Sequence, residues 1–414
     1  MPRLALAAAA LALALAGCGG GGGSTSTTTS TTTTGTTTGT TTTGTSTGST
    51  STTTLAANQL AVTVEQEPNI TSYITANTPF VTVTVCDAAG QCSTIDHVLL
   101  DTGSYGLRVF ASAIGANVQL TPMTSNASTT SGQPIGECAS FISSSVWGPV
   151  RYATLHMGSM SASQIPIQVL ADPSFPAEST AVTGTTRSVC GNASASATEQ
   201  QFGAKGVLGV GLFKDDTQLY YACTAASCTR VTPPQQVANP VAALPSDNNG
   251  VILSLPAVSA NQASASGVLT FGVDTQSDNV LDGYTVLPAT SAGDITVTLA
   301  GSTYPSSFID SGSNANFIDL PGVAVDSSGF YAPAQLTSYP ATLSSGATSY
   351  ASSIGVQAAG SLPLGTAVFP YLAAPTVSLQ SQDLGLPYFY GKAIAYAING
   401  AATSHGTGPY YAIH

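Results

Sequence analysis

Two short stretches decide the fold: residues 98–104 read Val-Leu-Leu-Asp-Thr-Gly-Ser, and residues 308–313 read Phe-Ile-Asp-Ser-Gly-Ser. Each places an aspartate, Asp101 or Asp310, directly after an apolar run that is typical of a strand. A hydroxyl residue, a glycine and a serine follow each aspartate, a composition that favours a tight turn. One such turn alone could be an ordinary Asx turn, but the doubling indicates two related halves that each contribute one carboxylate.

The chemistry of a paired site follows from the two carboxylates. When two carboxyl groups lie close together, both cannot ionise, so one keeps a proton while the other is a base. The base takes a proton from water while the acid donates to a substrate oxygen. Gly103 and Gly312 would let the two turns approach each other without a Cβ in the way. We therefore predict that Asp101 and Asp310 form a catalytic dyad.

The patterning along the chain predicts a mainly β protein. Alternating or short apolar runs at residues 80–85, 165–170 and 295–299 are bounded by Gly, Pro, Ser or Asn and indicate strands. The best candidate for a short helix is the segment 109–118. Long amphipathic helices are not indicated by the sequence.

A coarse internal repeat supports two lobes. The first aspartate turn is followed downstream by Lys-Gly-Val-Leu-Gly-Val-Gly at 205–211, and the second by Asp-Leu-Gly-Leu-Pro at 383–387. The segment 237–256, rich in Asn, Pro and Gly, is the expected junction. We predict an N-terminal lobe over residues 55–245 and a C-terminal lobe over residues 246–414.

The N-terminus predicts export and a lipid anchor. Residues 1–18 begin with a positive charge, continue as an apolar run too short to span a bilayer, and end Leu-Ala-Gly-Cys. This ending resembles a bacterial lipobox with Cys18 as the lipidated residue; an ordinary secretory signal is the alternative. Residues 19–54, almost entirely Gly, Ser and Thr, are expected to be a disordered tether. The predicted location is the bacterial cell envelope, where the protein is lipid-anchored in the outer membrane and faces either the periplasm or the cell surface.

The amino-acid composition argues against several classes of ligand. Eight Lys and Arg stand against twenty Asp and Glu, a formal net charge of −12, which makes nucleic acid an improbable partner. Few positive charges also leave little repulsion in acid, although low charge is common in exported proteins rich in Ser and Thr. The four histidines are scattered and the cysteine spacings do not fit zinc, so neither a metal nor another cofactor is expected.

Six cysteines remain when Cys18 is set aside, and an even number in an exported chain favours three disulfides. The short separations suggest hairpin clips for two pairs, which leaves a third pair whose connectivity the sequence does not fix. The expected pairs are Cys86 with Cys92, Cys223 with Cys228, and Cys138 with Cys190.

The motifs as a set resemble those of the bilobal pepsin-like aspartic proteases. The match runs through the two aspartate turns, Val-Leu-Gly at 207–209, Leu-Gly at 384–385, and Gly-Val-Leu-Thr-Phe-Gly-Val-Asp at 267–274, in the family's order. The resemblance implies a double β-barrel with a cleft between its lobes that binds a polypeptide. It also implies that the Thr102 and Ser311 hydroxyls bond to the opposite turn, and that Ser104 and Ser313 bond the outer carboxylate oxygens.

The whole chain also resembles a family of uncharacterised bacterial exported proteins. The shared stretches are Asp-Thr-Gly-Ser-Tyr-Gly-Leu-Arg at 101–108, Trp-Gly-Pro-Val-Arg at 147–151 and Gly-Thr-Gly-Pro-Tyr at 406–410. This resemblance implies no activity, because a fold does not determine function.

One departure concerns the flap, a hairpin that covers the cleft in the protease family and usually carries a tyrosine. Counting back from residues 152–158 puts Phe141 at the tyrosine position and Gly148 at an expected flap glycine. Trp147 then either caps the cleft through its indole N–H or is a packed hairpin residue.

Three functions remain open on this reasoning. The first is an envelope-tethered endopeptidase that is a monomer anchored to the membrane by lipid. The second is a pepsin-fold binding or inhibitor-like protein that is catalytically weak or inactive. The third is a surface structural lipoprotein whose Ser/Thr stalk is its main feature.

Overall fold

The computed structural model describes residues 55–70, 73–141, 144–185, 187–191, 196–360, 365–376, 378 and 380–414. The predicted signal peptide, Cys18 and the tether lie outside these residues. Within them the chain forms 25 strands, one short helix, α1 (Glu199–Phe202), and three 3-10 turns at Ala111–Ala113, Pro240–Ala243 and Leu386–Tyr388. The prediction of a mainly β protein is confirmed.

The strands before residue 245 are β1 (Gln59–Val64), β2 (Pro79–Cys86), β3 (Cys92–Asp101), β4 (Tyr105–Phe110), β5 (Thr121–Pro122), β6 (Ile135–Ser140), β7 (Ser145–Met157), β8 (Met160–Leu170), β9 (Gly206–Val210), β10 (Leu219–Cys223) and β11 (Cys228–Arg230). Those after it are β12 (Gly250–Ser254), β13 (Ala265–Phe271), β14 (Thr285–Pro288), β15 (Ile295–Leu299), β16 (Ser302–Ile309), β17 (Asn316–Ile318), β18 (Thr337–Ser345), β19 (Thr348–Val356), β20 (Ala373–Pro375), β21 (Asp383–Leu384), β22 (Ala393–Ala397), β23 (Ala402–Thr403), β24 (Gly406–Thr407) and β25 (Tyr410–Ile413).

Apolar alternation produces these strands as expected. In β15 the side chains of Ile295, Val297 and Leu299 are buried, while the threonines between them are partly exposed. Because successive side chains of a strand point to opposite faces, this pattern covers one side of the sheet with core residues. The three predicted strand segments all fall inside observed strands, namely β2, β8 and β15.

The helix predicted at residues 109–118 is wrong. Residues 109 and 110 belong to β4, and only Ala111–Ala113 form a 3-10 turn. Strand β4 lies between β9, its antiparallel neighbour, and β8, its parallel neighbour. The backbone N–H and C=O groups of β4 find hydrogen-bond partners in both neighbouring strands. This pairing outweighs the helical pattern of the local sequence.

The same three-strand motif occurs in both halves. In the first, β3 leads into the Asp101 turn and pairs in parallel with β9, while β4, after the turn, pairs antiparallel with β9. In the second, β16 leads into the Asp310 turn and pairs in parallel with β21, while β17 pairs antiparallel with β21. The repeat seen in the sequence is therefore a repeat of topology.

A sheet crosses between the two halves and joins them. This sheet has 16 strands, and its part in the second half runs β13-β12-β22-β25-β14. Strand β1, near the start of the described chain, pairs with β13 on one side and with β2 of the first half on the other. The second half adds a separate seven-stranded sheet in the order β19-β18-β15-β16-β21-β17-β20. This arrangement is the bilobal pepsin-like fold that the sequence resemblance implied. The exact lobe boundary near residue 245 stays a prediction.

Three disulfides have the predicted connectivity. Cys86–Cys92 closes the β2–β3 hairpin and Cys223–Cys228 closes the β10–β11 hairpin. Cys138–Cys190 joins β6 to a loop 52 residues further along the chain. No helix in the described ranges is both long and apolar enough to cross a membrane.

Candidate active site

The two aspartate turns meet face to face and are tied to each other by hydroxyl groups. The Ser311 backbone N–H donates to Thr102 Oγ1 at 2.8 Å, and the Thr102 N–H donates to Ser311 Oγ at 3.1 Å. The Ser311 hydroxyl in turn donates to the Leu100 carbonyl at 2.8 Å. Each turn therefore holds the other in place through a side chain next to its aspartate.

Two glycines make room for the carboxyl groups. A Cβ added at Gly103 would lie 2.6 Å from Asp310 Cγ, and one added at Gly312 would lie 2.6 Å from Asp101 Oδ1. No side chain fits at either position, because real Cβ contacts are not that short. The carboxyl groups of Asp101 and Asp310 are consequently within hydrogen-bonding reach of each other.

The inner oxygens of the pair are held symmetrically. Gly103 N–H donates to Asp101 Oδ1 and Gly312 N–H donates to Asp310 Oδ1, both at 2.8 Å. On the outer side, the Ser104 hydroxyl donates to Asp101 Oδ2 at 2.5 Å. Ser313 Oγ lies 3.2 Å from Asp310 Oδ2, a longer contact than its counterpart.

Burial determines the protonation of the pair. The side chains of Asp101 and Asp310 are 1% and 0% exposed. Loss of solvation and the charge of Asp101 raise the pKa of Asp310 well above its usual range. Burial also raises the pKa of Asp101, although hydrogen bonds from Asp310, Ser104 and Gly103 oppose that rise. The pair thus holds one proton, with Asp310 as the donor to Asp101.

A cavity of about 640 Å³ lies beside the pair, lined by residues 102–218 of one half and 291–411 of the other. Its wall includes Gly103 and Ser104, the aromatic side chains of Phe213 and Tyr411, and the acidic Asp216.

The β6–β7 hairpin occupies the position of the expected flap. Phe141, at the hairpin tip, lines the cavity and packs against Phe202 with ring centroids 6.2 Å apart. A Cβ at Gly148 would lie 1.8 Å from the Val169 carbonyl oxygen, so the glycine lets the hairpin approach β8 closely.

Of the two alternatives for Trp147, the structure supports the packed hairpin residue and not the cap over the cleft. Its indole N–H donates to the Pro176 carbonyl at 2.7 Å, and its ring packs against Phe175 and Tyr221. Trp147 pairs with Cys138 across the hairpin, and cross-strand partners share a face. The ring therefore lies on the face that carries the Cys138–Cys190 disulfide, in a packed cluster with it.

A buried ionic network connects the first aspartate turn to the flap. The Arg108 guanidinium, 1% exposed, donates to Glu137 Oε1 on β6 and to Asp216 Oδ2, both at 2.6 Å. Tyr220 donates to Asp216 Oδ1 at 2.8 Å. Burial raises the pKa of Glu137 well above its usual range, while Arg108 opposes that rise. Arg108 and Asp216 of this network form part of the cavity wall.

Two other polar residues near these strands, His97 and Asp319, lie outside the pair. His97 is on β3 and contacts Glu65 and Asp96 at 3.4 and 3.3 Å. Asp319 accepts a hydrogen bond from Tyr304 at 3.0 Å. In the ranges that the structure describes, no three or more His, Cys, Asp and Glu side chains are grouped so as to hold a metal ion.

Sequence reasoning missed Asp383, the first residue of β21. Its Oδ2 lies 2.5 Å from Ser313 Oγ, next to the dyad, and its side chain is 5% exposed. The signal was present in the repeat, because Val207 precedes Leu-Gly in the first half where Asp383 precedes Leu-Gly in the second.

Comparison with known proteins gives a family and a distant structural likeness. None of the curated proteins compared with the chain matches it. The crystal structure of aspartic proteinase from Irpex lacteus is similar at a TM-score of 0.49 and 14% identity, covering 86% of this chain and 96% of that one. The family model described as "Protein of unknown function (DUF3443)" matches residues 54–413. Since this match spans nearly the whole sequence, the chain belongs to the DUF3443 family.

Proposed function

We propose that the chain is an aspartic-type endopeptidase that hydrolyses peptide bonds with Asp101, Asp310 and one water molecule. The single observation that carries the proposal is the buried, hydrogen-bonded carboxyl pair beside a cavity that residues of both halves line. Structural ion networks also bury carboxyl groups, but they pair them with cations. Here two acids face each other, which suits the sharing of one proton.

In this mechanism Asp101 is the base and Asp310 is the acid. Asp101 takes a proton from the attacking water, whose oxygen forms a bond to the peptide carbonyl carbon, while Asp310 donates its proton to the carbonyl oxygen. The tetrahedral intermediate then collapses: the C–N bond breaks, Asp101 passes its proton to the leaving nitrogen, and the hydroxyl proton returns to Asp310. The raised pKa of Asp310 supports this division of roles.

The cavity favours a polypeptide as the substrate. Rings of Phe141, Phe213 and Tyr411 offer apolar contact, and Asp216 and Lys214 add polar groups to the same wall. A mixed apolar and polar wall suits a chain whose side chains alternate in character. Residues of both halves line the cavity, and a wall of this kind suits an extended ligand.

A second candidate function is peptide binding without efficient cleavage. One observation favours it: Phe141 has no hydroxyl where the protease family usually places a tyrosine. A binding protein of this fold would use the same cavity for recognition.

We further propose that Cys18 anchors the protein to the outer membrane of a bacterial envelope. This proposal is supported by the sequence of residues 1–54 alone. A membrane-bound, monomeric protein would present the cleft to polypeptides near the membrane surface.

The experiment that tests the proposed function incubates the purified full-length protein with an unfolded protein substrate from about pH 3 to 7. Parallel samples contain a statine-type transition-state analogue, whose hydroxyl occupies the place of the attacking water. Cleavage in acid that the analogue inhibits is the expected result. Binding of the analogue without cleavage at any pH would favour the second candidate.

A further inference from the structure

The two halves differ at one buried position next to the dyad. In the first half, Val207 on β9 is the parallel partner of Leu99, two residues before Asp101. In the second, Asp383 on β21 is the parallel partner of Phe308, two residues before Asp310. The repeat thus places a carboxyl group where the first half has an apolar side chain, and the proposed mechanism has no use for it.

This third carboxyl group changes the hydrogen bonding of the second turn. Ser104 Oγ lies 2.5 Å from Asp101 Oδ2, whereas Ser313 Oγ lies 2.5 Å from Asp383 Oδ2 and 3.2 Å from Asp310 Oδ2. Asp383 therefore holds the closer contact with the serine hydroxyl, which bridges two buried acids.

A serine hydroxyl has one proton, and this limits the arrangement. It donates to one carboxylate and accepts from a second group only if that group carries a proton. Asp383 Oδ1 is buried and has no hydrogen-bond partner in the described part of the chain. A buried carboxylate with an unsatisfied oxygen is costly, whereas a neutral acid that donates through its other oxygen is not.

We propose that Asp383 is a protonated third carboxyl group of the site, which donates to Ser313, directs the serine proton to Asp310, and sets the upper pH limit of activity. The statement about the pH limit rests on the proposed peptidase function. Asp383 acts through Ser313 and Asp310 and is a positioning residue, since it does not contact the reacting atoms.

The surroundings of Asp383 support the neutral form. The titratable groups that face it are Asp310 after β16, Asp101 of the opposite turn and Tyr396 on β22. The ion pairs found in the described residues do not include Asp383, so burial is not offset by a cation contact. Burial raises the pKa of Asp383 to about 8, the hydrogen bond with Ser313 opposes the rise, and the charge of Asp101 adds to it.

The consequence is that Asp383 protects the shared proton of the dyad. As pH rises, the Asp383 Oδ2–H bond breaks and its proton leaves to water. The Ser313 O–H then turns from Asp310 toward the new carboxylate, and the added negative charge disfavours further ionisation nearby. Asp310 keeps its proton to a higher pH than the pair would alone.

Two variants remove the carboxyl group with little change in volume. Asp383→Asn keeps the shape, and Asp383→Val introduces the residue that the repeat carries at Val207. Both are made in the full-length chain, with Asp319→Asn as the control for loss of a carboxyl group outside the dyad. If one variant fails to fold, the other still supplies the measurement.

The first measurement is the infrared absorption of protonated carboxyl groups at about pH 6, below the range in which Asp383 titrates. We expect Asp383→Asn to lose the signal of one carboxylic acid relative to the Asp319→Asn control, the same loss as Asp310→Asn. An unchanged signal in Asp383→Asn means that Asp383 is ionised and overturns the proposal. This measurement does not depend on peptidase activity.

The second measurement is the pH profile of peptide cleavage. Both Asp383 variants are expected to shift the alkaline limb downward by about one pH unit, because they remove a like charge beside the dyad. The maximal rate is expected to change less than about tenfold, and the acid limb is expected to move by less than about one pH unit. An unmoved alkaline limb overturns the role of Asp383, whereas an inactive wild-type protein overturns the proposed function and leaves the infrared result to decide the state of Asp383.

Discussion

At the scale of single residues, the pairing of Asp101 with Asp310 depends on two glycines, Gly103 and Gly312, that have no Cβ. The carboxyl group of one turn fills the space that a Cβ would occupy at the glycine of the other turn. This reciprocal fit explains why the sequence repeats glycine two residues after each aspartate. It also makes each glycine a sensitive test of the dyad.

Gly103→Ala is expected to abolish cleavage. Its Cβ would lie 2.6 Å from Asp310 Cγ, so the two carboxyl groups must separate and lose their shared proton. The measurement is the cleavage rate per folded molecule, with folding followed by near-ultraviolet circular dichroism. A folded Gly103→Ala protein with wild-type activity would contradict a tightly paired dyad.

Arg108 provides a second test at this scale. Arg108→Met would leave Glu137 and Asp216 buried without their cation, at a cost of about 3–5 kcal/mol in the free energy of unfolding. Arg151→Met is the matched control, because the Arg151–Asp172 pair is partly exposed; its expected cost is about 1 kcal/mol or less. Denaturant unfolding measures both, and equal losses would show that the Arg108 network is not special.

The sequence predicts the role of a residue when the residues that it contacts are close to it in the chain. Asp101 and Asp310 were found because the turn motif is contiguous in sequence. The importance of Asp383 depends on Ser313, which lies 70 residues away and is brought close only by pairing of β16 with β21. Comparing the two halves position by position, Val207 against Asp383, would have exposed it.

At the scale of elements, the face of a strand decides the role of its side chains. The sequence identified the β6–β7 hairpin but not its register, and the register determines which face each side chain occupies. The pairing of Trp147 with Cys138 places the indole on the strand face that carries the Cys138–Cys190 disulfide, inside a packed cluster.

Trp147→Ala is therefore expected to reduce stability more than catalysis. Loss of the buried ring and of its bond to Pro176 should cost about 3–5 kcal/mol in the free energy of unfolding. Cleavage per folded molecule should be nearly unchanged, whereas Phe141→Ala, at the cavity wall, should reduce it. A large loss of catalysis in folded Trp147→Ala would place the indole in the mechanism.

At the scale of the whole molecule, the two halves repeat one topology but differ in their buried acids: the second half carries Asp383 where the first carries Val207. The sequence predicted the mainly β class, the two lobes and the disulfides because each leaves a local signature in periodicity or spacing. It did not predict the strand order, which joins β1 to β13 across more than half of the chain. Such long-range pairings are chosen by the fit of complete sheets and not by local pattern.

The buried acids predict that the protein loses stability as pH rises. Asp310 and Asp383 have pKa values raised in the folded state, so their favourable contribution is present below their unfolded pKa values near 4. It is lost as pH rises toward the folded values, about 8 for Asp383. Opposing acids with lowered pKa values lose stability below about pH 4; they are Asp87, Asp96, Asp172 and Asp274.

Thermal unfolding from about pH 5 to 8 measures this effect. The melting temperature is expected to fall over that range, and Asp383→Asn should make the fall shallower because it removes one of the ionising groups. A melting temperature that rises steadily between these pH values would contradict the assignment of neutral buried acids.

The central claim is that two aspartates from different lobes act as one catalytic unit. Its most direct test measures the cleavage rate of an unfolded protein at the acidic optimum by wild type, Asp101→Asn, Asp310→Asn and the control Asp319→Asn. Both dyad variants should fold and lose at least about a thousandfold in rate, since neither carboxyl group alone serves as both acid and base, while the control keeps its activity. Cleavage that persists in either folded dyad variant would contradict the account.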